Sequence, residues 1–274
     1  MTTHSSARSA VHDTASNELA PDSGSIQIVD VSQRFGGVEA IAKSSLYIKP
    51  GEFVSIVGPS GCGKTTLLNI IAGLIPVQQG SVQLSGQPPR SGRADVAYML
   101  ARDSLLPWLT ALQNAEFGAE IRHYPKEARR AKARLLLEQV GLASFENAYP
   151  KALSQGMRQR VALARTFCLN SPILLMDEPF GALDAQTKLQ LADVLLRLWN
   201  EERRTVVFIT HDLSEAIALS DRVLVMRARP GTIISDIPID LPRPRSIRAL
   251  QRDPKYHELY AHVWTQLETA LETT

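Results

Sequence analysis

Short apolar runs and helical patterns alternate along most of this chain of 274 residues. Apolar and loosely alternating positions from about residue 26 to 57 predict an initial β-rich region. Later runs at 173–176, 206–209 and 223–226 are short and wholly apolar, which is typical of strands in parallel sheets. A helical pattern over residues 185–202 separates two of these runs. The pattern therefore predicts a core in which strands and helices alternate.

A helical block interrupts this predicted core between about residues 107 and 169. Within it, apolar positions recur at three- and four-residue spacing over 131–140 and 158–167, as they do along one face of a helix. Beyond Gly231 the chain carries several prolines and then another helical pattern at about 254–271. The sequence thus predicts an α/β domain with an inserted helical segment and a helical C-terminal extension.

The segment after the apolar run 53–57 matches the nucleotide-binding pattern G-x-x-x-x-G-K-[ST] in full. Its glycines allow backbone N–H groups to surround phosphate oxygens, and the dipole of the helix that follows favours the same anions. Lys64 would reach the β- and γ-phosphates of a nucleotide, and the Thr65 hydroxyl would bind Mg²⁺. The residues predicted to hold the nucleotide here are Gly58, Pro59, Ser60, Gly61, Cys62, Gly63, Lys64, Thr65 and Thr66.

Composition narrows the classes of protein that fit. Lysine and arginine number 30 against 28 acidic residues, so the overall charge favours no polyanionic partner. The cysteines, Cys62 and Cys168, form no disulfide framework, and a thiol within a phosphate loop suits a reducing compartment. No apolar run approaches the ~20 residues needed to cross a bilayer. Residues 1–25 are rich in Ser, Thr and Ala without an apolar core, which predicts a disordered tail rather than a secretory signal or an anchor.

Another candidate motif is the apolar run 173–176, which ends in Asp177 and Glu178. In a nucleotide site the first of these acids binds Mg²⁺, directly or through water. The second acid can take a proton from the attacking water as a general base. An apolar strand that ends in two acids is by itself more often an ordinary strand end. The motif gains its weight from the phosphate loop that precedes it in the same chain.

The segment L-S-Q-G-M-R-Q-R, which starts at Leu153, resembles the signature of ATP-binding cassette (ABC) ATPases, usually written L-S-G-G-Q. On its own Ser154 would be interpreted as an ordinary helix N-cap. Further segments follow in the order found in the family. Asp184 ends an F-G-A-L-D segment that resembles the dimer-facing loop, and His211 stands where the family has its switch histidine at the γ-phosphate. Phe35 stands where the family has an aromatic residue that stacks on adenine.

The resemblance implies a fold and a mechanism. The implied fold is a P-loop NTPase (RecA-like) α/β core with an antiparallel β-subdomain and a helical subdomain inserted at about 101–170. The implied boundaries are an ATPase domain at 26–241 and a C-terminal extension with a helix at 242–274. In the family mechanism two subunits sandwich two ATP molecules with Mg²⁺. Ser154 and Gly156 of one subunit would then face the phosphate loop of the other.

The sequence departs from the family pattern in the signature and before the helical block. Gln155 replaces the usual glycine of the signature, and Met157 replaces the usual glutamine, as it does in related importers. Ala101 stands where the family has a glutamine that contacts Mg²⁺ and relays to the membrane subunit. Either that glutamine is dispensable here, or Arg102 or Asp103 supplies a substitute.

The segment L-L-P-W-L-T-A-L-Q-N, which starts at Leu105, looks like that of ATPases from nitrate, sulfonate and taurine importers. Trp108 within it is either an exposed anchor for a membrane subunit or an ordinary core residue. The resemblance implies transmembrane permease subunits bound through the segment from Leu105 to Trp108, and a second copy of the chain. It also implies an indirect link to a solute-binding protein, and a peripheral position on the cytoplasmic face of the membrane.

Other functions remain open at this point. A soluble cassette ATPase acting on DNA or in translation usually carries long coiled coils or tandem cassettes, which this sequence lacks, and the near-neutral charge argues against a nucleic-acid partner. A nucleotide-binding interaction subunit with little hydrolysis is the other alternative. Glu178 and His211 argue against it, whereas Ala101 and Gln155 favour it.

Overall fold

The computed structural model describes residues 23–272, in which helices pack around a large β-sheet and a smaller sheet lies beside it. The strands of the large sheet are β3 (Phe53–Val57), β5 (Val96–Met99), β6 (Ile173–Asp177), β7 (Thr205–Ile209), β8 (Arg222–Arg227) and β9 (Thr232–Pro238). Their order across the sheet is β5-β6-β7-β3-β8-β9. All neighbours pair in parallel except the edge strand β9, which is antiparallel to β8.

The smaller sheet is antiparallel and comes mainly from the start of the chain. Its strands are β1 (Ile26–Phe35), β2 (Val38–Ile48) and β4 (Gln79–Leu84), with β1 in the centre. Two glycines, Gly36 and Gly37, form the turn between β1 and β2, and both have positive φ angles. The β-rich character predicted for residues 26–57 therefore divides between two sheets, because β3 belongs to the large one.

The helices lie between and after the strands of the large sheet. Those of the described residues are α1 (Lys64–Ile71), α2 (Ala111–Ile121), α3 (Lys126–Gln139), α4 (Gln155–Cys168), α5 (Ala185–Glu201), α6 (Leu213–Leu219), α7 (Ile247–Leu250) and α8 (Pro254–Glu272). Helices α2, α3 and α4 follow one another between β5 and β6 and pack together. None of the helices described here is long and apolar enough to cross a membrane.

The central strand β3 is buried along its whole length and joins two apolar cores. Phe53 and Val57 point into a core shared with α2 to α6 and α8. Val54 and Ile56 point to the opposite face, into a core shared with α1 and the small sheet. Because side chains alternate across a strand, this one segment fixes the elements on both sides of the loop that follows it.

The C-terminal extension is bonded to the rest of the chain through a buried arginine. Arg245 is 8% exposed, and its two terminal nitrogens donate hydrogen bonds to five carbonyl oxygens. Those carbonyls belong to Ile217, Ala218, Ser220, Ile239 and Leu241. Several of them lie at the C-terminal end of α6, where backbone carbonyls lack partners within the helix.

At the other end of the chain, most of the tail predicted at residues 1–25 lies outside the described residues, which begin at residue 23. Two of its last residues bond to Ser85, which directly follows β4. The Gly24 N–H donates to Ser85 Oγ at 2.9 Å, and the Ser25 carbonyl accepts from the Ser85 N–H at 2.9 Å.

Candidate nucleotide site

The phosphate loop joins β3 to α1, with the conformation that its glycines allow. Gly63 precedes the first helical residue and has a φ angle of 95°. A Cβ atom on Gly58 would lie 2.3 Å from the Met226 carbonyl oxygen, so no side chain fits at this position. No side chain caps α1, which leaves the N–H groups of its first turn free to meet an anion.

The ammonium group of Lys64 lies inside the curve of the phosphate loop. Lys64 is 7% exposed, and its Nζ donates to the carbonyls of Gly58 at 2.9 Å and Pro59 at 3.0 Å. The Cys62 thiol is 3.7 Å from the same Nζ. Burial raises the pKa of Cys62, so the thiol stays protonated and unreactive at neutral pH. The loop carbonyls therefore hold the Lys64 ammonium group at the centre of the loop.

Thr65 and Asp177 bring two oxygen donors together beside the loop. Thr65 Oγ1 donates to Asp177 Oδ1 at 3.2 Å, which connects the start of α1 to the end of β6. Burial raises the pKa of Asp177, and the charge of Glu178 adds to this effect, while the Thr65 hydrogen bond and Lys64 oppose it. Within the described residues no group of three or more His, Cys, Asp or Glu side chains forms a metal site. Mg²⁺ typically binds one or two protein oxygens and completes its shell with water and substrate phosphates. A hydroxyl and a carboxylate fit that pattern.

Glu178 and His211 face each other at the ends of neighbouring strands. His211 Nδ1 lies 3.4 Å from Glu178 Oε2. Glu178 has a φ angle of 46°, which is uncommon for a residue with a side chain and frequent at functional sites. A cleft of about 220 Å³ is lined by Glu178 together with Lys64, Thr65 and their neighbours in the phosphate loop. The structure thus brings the predicted general base to the predicted phosphate site.

The signature residues lie at the start of α4, next to the start of α5. Ser154 is the N-cap of α4, and its Oγ accepts from the Met157 N–H at 3.3 Å. A Cβ atom on Gly156 would lie 2.7 Å from Thr187 Cγ2, so glycine permits this close contact between the helices. Asp184 caps α5 through the N–H of Thr187 at 3.0 Å and its hydroxyl at 2.6 Å, and these bonds lower the pKa of Asp184. None of these residues lines the phosphate cleft of its own chain.

Phe35 is 47% exposed at the end of β1, beside the β1–β2 turn. It is therefore not a core residue of the described chain. Farther along β2, Ala40 lines the phosphate cleft. The hairpin that carries Phe35 thus reaches the edge of this cleft.

Asp103 is bonded to α4 rather than placed at the Thr65–Asp177 pair. Its Oδ2 accepts from Arg158 Nε at 3.0 Å, and its Oδ1 accepts from the Leu105 N–H at 3.2 Å. Ala101 is exposed and lines a separate cleft between this segment and α4. The alternative in which Asp103 substitutes for the missing glutamine as a magnesium ligand therefore loses its support.

Trp108 is 68% exposed, so the interpretation of it as a core residue is wrong. The turn that carries it is held by Asn114, which is fully buried. Asn114 Oδ1 accepts from the Leu106 N–H at 2.8 Å, and its Nδ2 donates to the carbonyls of Leu106 at 3.1 Å and Leu109 at 3.0 Å. A hydrogen-bonded turn that presents an indole to solvent is well suited to contact another protein.

Comparison with known proteins decides the family. A family model described as ABC transporter matches residues 41–181. This chain belongs to the ABC transporter family. It is therefore an ATP-binding cassette ATPase, as the resemblance of its motifs implies.

Relatives along nearly the whole cassette agree with this assignment. The taurine import ATP-binding protein TauB of Escherichia coli is 37% identical over 246 residues, which cover 88% of this chain and 96% of TauB. The uncharacterized ABC transporter ATP-binding protein YtlC of Bacillus subtilis is 45% identical over 221 residues, 80% of this chain and 85% of YtlC.

A solved structure confirms the predicted fold class. The ATP-binding cassette MJ0796, in a dimeric post-hydrolysis state bound to ADP and Pi, has a TM-score of 0.69 and 32% sequence identity to this cassette. The match covers 79% of this chain and 100% of that one.

Proposed function

We propose that this cassette is the ATP-hydrolysing subunit of a membrane importer for a small solute of the nitrate, sulfonate and taurine type. The observation that carries the proposal is the cleft that Glu178 shares with the phosphate loop. The 37% identity to a taurine import ATPase favours an importer of this branch. Such a subunit lies on the cytoplasmic face of the membrane and is linked only indirectly, through the permease subunits, to a separate solute-binding protein.

In the proposed mechanism each cleft residue has a separate task. Lys64 neutralises charge on the β- and γ-phosphates of ATP, and Phe35 stacks on the adenine. Thr65 and Asp177 would hold Mg²⁺, which when bound would supply positive charge beside the transferred phosphoryl group. Their hydroxyl and carboxylate oxygens, 3.2 Å apart beside the loop, support this assignment.

Glu178 acts as the general base by accepting a proton from the attacking water at a carboxylate oxygen. His211, with its Nδ1 at 3.4 Å from Glu178 Oε2, orients this carboxylate and contacts the γ-phosphate. Gly181 lies beside both side chains, since a Cβ atom there would be in ordinary contact, at 3.6 Å, with Glu178 Oε2 and with His211 Cε1. The chain thus supplies the base and its positioning group from the ends of β6 and β7.

Hydrolysis requires a second copy of the chain in this proposal. The phosphate cleft of the same chain does not include Ser154, Gly156 or Asp184. Their position outside this cleft supports contact with the phosphate cleft of a partner subunit. The helix dipole and the N-terminal N–H groups of α4 would then face the γ-phosphate held by that partner. The dimeric state of MJ0796 with ADP and Pi supports the same arrangement.

Permease subunits bind, in this proposal, at the turn from Leu105 to Trp108. The exposed indole of Trp108 on a turn fixed by buried Asn114 supports this surface. The turn is also bonded to α4 through Asp103, since Arg158 donates to its carboxylate at 3.0 Å. A displacement of the turn by a permease would therefore reach the helix that begins at the signature.

Growth and uptake measurements test the proposal. A strain that lacks the gene should lose uptake of at least one solute among nitrate, taurine and alkanesulfonates, and the native gene should restore it. The Lys64→Ala variant should not restore uptake, because alanine provides no charge for the phosphates. Exposed Lys126 on α3 offers a matched control, and Lys126→Ala should restore uptake fully. Unchanged uptake of all three solutes in the deletion strain would contradict the proposed solute class.

The alternative of a weakly hydrolysing subunit rests on Ala101 and Gln155. Alanine offers no ligand atom at the family's glutamine position, and Gln155 replaces a glycine in the signature. ATP turnover of the purified cassette, measured with and without its permease, separates the two functions. Turnover that stays near zero in both conditions would favour the alternative.

A further inference from the structure

Lys188 on α5 contacts two carboxylates that follow His211 in the chain. Its Nζ lies 3.6 Å from Asp212 Oδ2 and 3.5 Å from Glu215 Oε1. Asp212 comes directly after His211, and Glu215 lies on α6. The side chains of Lys188 and Glu215 are largely buried, so dissolved salt screens their attraction only weakly. One ammonium group therefore joins α5 to the segment that begins at His211.

Hydrogen bonds extend this contact to both sides of His211. Glu215 Oε2 accepts from Thr210 Oγ1 at 2.6 Å. Thr210 Oγ1 in turn accepts from the Asp212 N–H at 3.0 Å. Together with Lys188 these residues form a closed network, in which Thr210 and Asp212 flank His211 in the chain. The network thus fixes the backbone before and after His211, whose own side chain is half exposed.

Lys188 supplies positive charge to this network. Burial raises the pKa of Glu215, and the charge of Asp212 adds to this effect, whereas the Thr210 hydrogen bond and Lys188 oppose it. Without the ammonium group, two carboxylates would face each other with one of them buried, which is unfavourable. Glu215 would then take up a proton or move away from Asp212, and the network would open.

We propose that Lys188 is a positioning residue for ATP hydrolysis, which acts through these two carboxylates to hold His211 toward the γ-phosphate. The inference rests on the proposed function, in which His211 contacts that phosphate and orients Glu178. Opening of the network would displace His211 and loosen the Glu178 carboxylate. The chemical step would therefore slow, while the phosphate loop would keep its affinity for ATP.

Lys188 also connects His211 to the loop that would face a partner subunit. The Lys188 N–H donates to the carbonyl of Asp184, the N-cap residue of α5, at 2.9 Å. A partner that moves the start of α5 would therefore move Lys188 relative to Asp212. In this way closure of the dimer would reach His211 of the same chain.

Steady-state ATPase kinetics of the purified chain test this role. Lys188→Met removes the charge but keeps a long side chain, and it should lower kcat by about 10–100-fold through misplacement of His211, with the KM for ATP unchanged. Lys188→Arg should restore most of the native kcat, because a guanidinium group returns the positive charge. Arg197→Met, at an exposed position of the same helix, is the matched control and should have native kinetics.

A double-mutant cycle with Glu215→Gln tests whether Lys188 acts through Glu215. The double variant should lose no more kcat than Lys188→Met alone, because both changes open the same network. It buries neither charge of the pair, so its own kcat and KM decide the matter if Lys188→Met fails to fold. Losses that multiply would overturn the inference. So would a native kcat in folded Lys188→Met, or a low kcat that Lys188→Arg does not restore.

Nuclear magnetic resonance separates this inference from the proposed function. With isotope-labelled histidine, the His211 Cε1–H resonance is assigned by its absence in His211→Asn. Lys188→Met should shift this resonance and Arg197→Met should not, whether or not the chain hydrolyses ATP. An unchanged resonance in Lys188→Met would overturn the inference. A shifted resonance together with no ATP turnover by the native chain would support the positioning of His211 and contradict the proposed function.

Discussion

The side chain of Gln159 donates a hydrogen bond to the carbonyl oxygen of Pro179. Gln159 lies on α4 and is 4% exposed, and Pro179 directly follows Glu178. The bond therefore joins the helix that begins at Ser154 to the segment that carries the proposed general base. In the sequence Gln159 falls within the signature run, where its residue type alone indicates no role.

Replacement of Gln159 by leucine should lower ATP turnover more than it lowers ATP affinity. The buried Pro179 carbonyl would lose its donor, at a cost of about 1–3 kcal/mol in the free energy of unfolding, and the position of Glu178 would loosen. Thermal unfolding, nucleotide binding and turnover should be measured on the same preparation. Gln83→Leu, on the exposed face of β4, is the matched control. A fall in stability with unchanged turnover per folded molecule would limit Gln159 to a structural role.

Glu178→Gln should bind ATP but hydrolyse it about 10²–10⁴-fold more slowly, which is the usual size of a general-base contribution. The variant should also accumulate as an ATP-bound dimer, because slow hydrolysis would delay the opening of the closed dimer. Turnover assays and size-exclusion chromatography with ATP check both results. Native turnover together with a purely monomeric elution would contradict the assignment.

Trp108→Ala should leave ATP binding and thermal stability unchanged but weaken assembly with permease subunits by about 2 kcal/mol or more. Trp108 is 68% exposed, so its removal opens no cavity. Two other tryptophans serve as comparisons. Trp264→Ala, at a 45% exposed position on α8, should leave assembly intact, whereas Trp199→Ala, at a fully buried position, should destabilise the fold by about 3–5 kcal/mol. If Trp108→Ala binds the permease as strongly as the native chain does, Trp108 is not part of the permease interface.

Ala101→Gln should raise ATP turnover when Mg²⁺ is limiting, because the added amide supplies the ligand atom that the family uses. Asp103→Asn should leave the Mg²⁺ dependence unchanged, since Asp103 is bonded to Arg158. Titration of turnover with Mg²⁺ in both variants tests this pair of expectations. A strong increase in the Mg²⁺ requirement of Asp103→Asn would restore the view that Asp103 substitutes for the glutamine.

The sequence predicts four of the five parallel strands, β3, β6, β7 and β8, because each contains a short apolar run. The predicted runs 173–176 and 206–209 become β6 (Ile173–Asp177) and β7 (Thr205–Ile209). The pattern misses β5 and β9. β5 has four residues, and β9 is an edge strand with polar positions that ends at Pro238, a residue tolerated mainly at strand edges. The boundaries proposed at residues 26–241 and 242–274 stay predictions.

The candidate site is predictable where its residues fall in short motifs. The phosphate loop and the acids after β6 carry recognisable spacing, and the fold brings them together. The Asp103–Arg158 bond and the Gly156–Thr187 contact join residues far apart in the sequence, and no local pattern signals them. The exposure of Trp108 is equally invisible to a pattern, because a tryptophan among apolar residues such as Leu106 and Leu109 is compatible with either the core or the surface.

The hydrogen bonds of Arg245 limit how the C-terminal extension can be exchanged between related cassettes. Its guanidinium bonds to carbonyls of both the cassette and the segment that leads into the extension. A chimera that joins this cassette to a foreign extension without an equivalent arginine would leave the end of α6 without these donors. Domain swaps between related cassettes should therefore be cut after α8, so that the extension is transferred together with the cassette to which it is bonded.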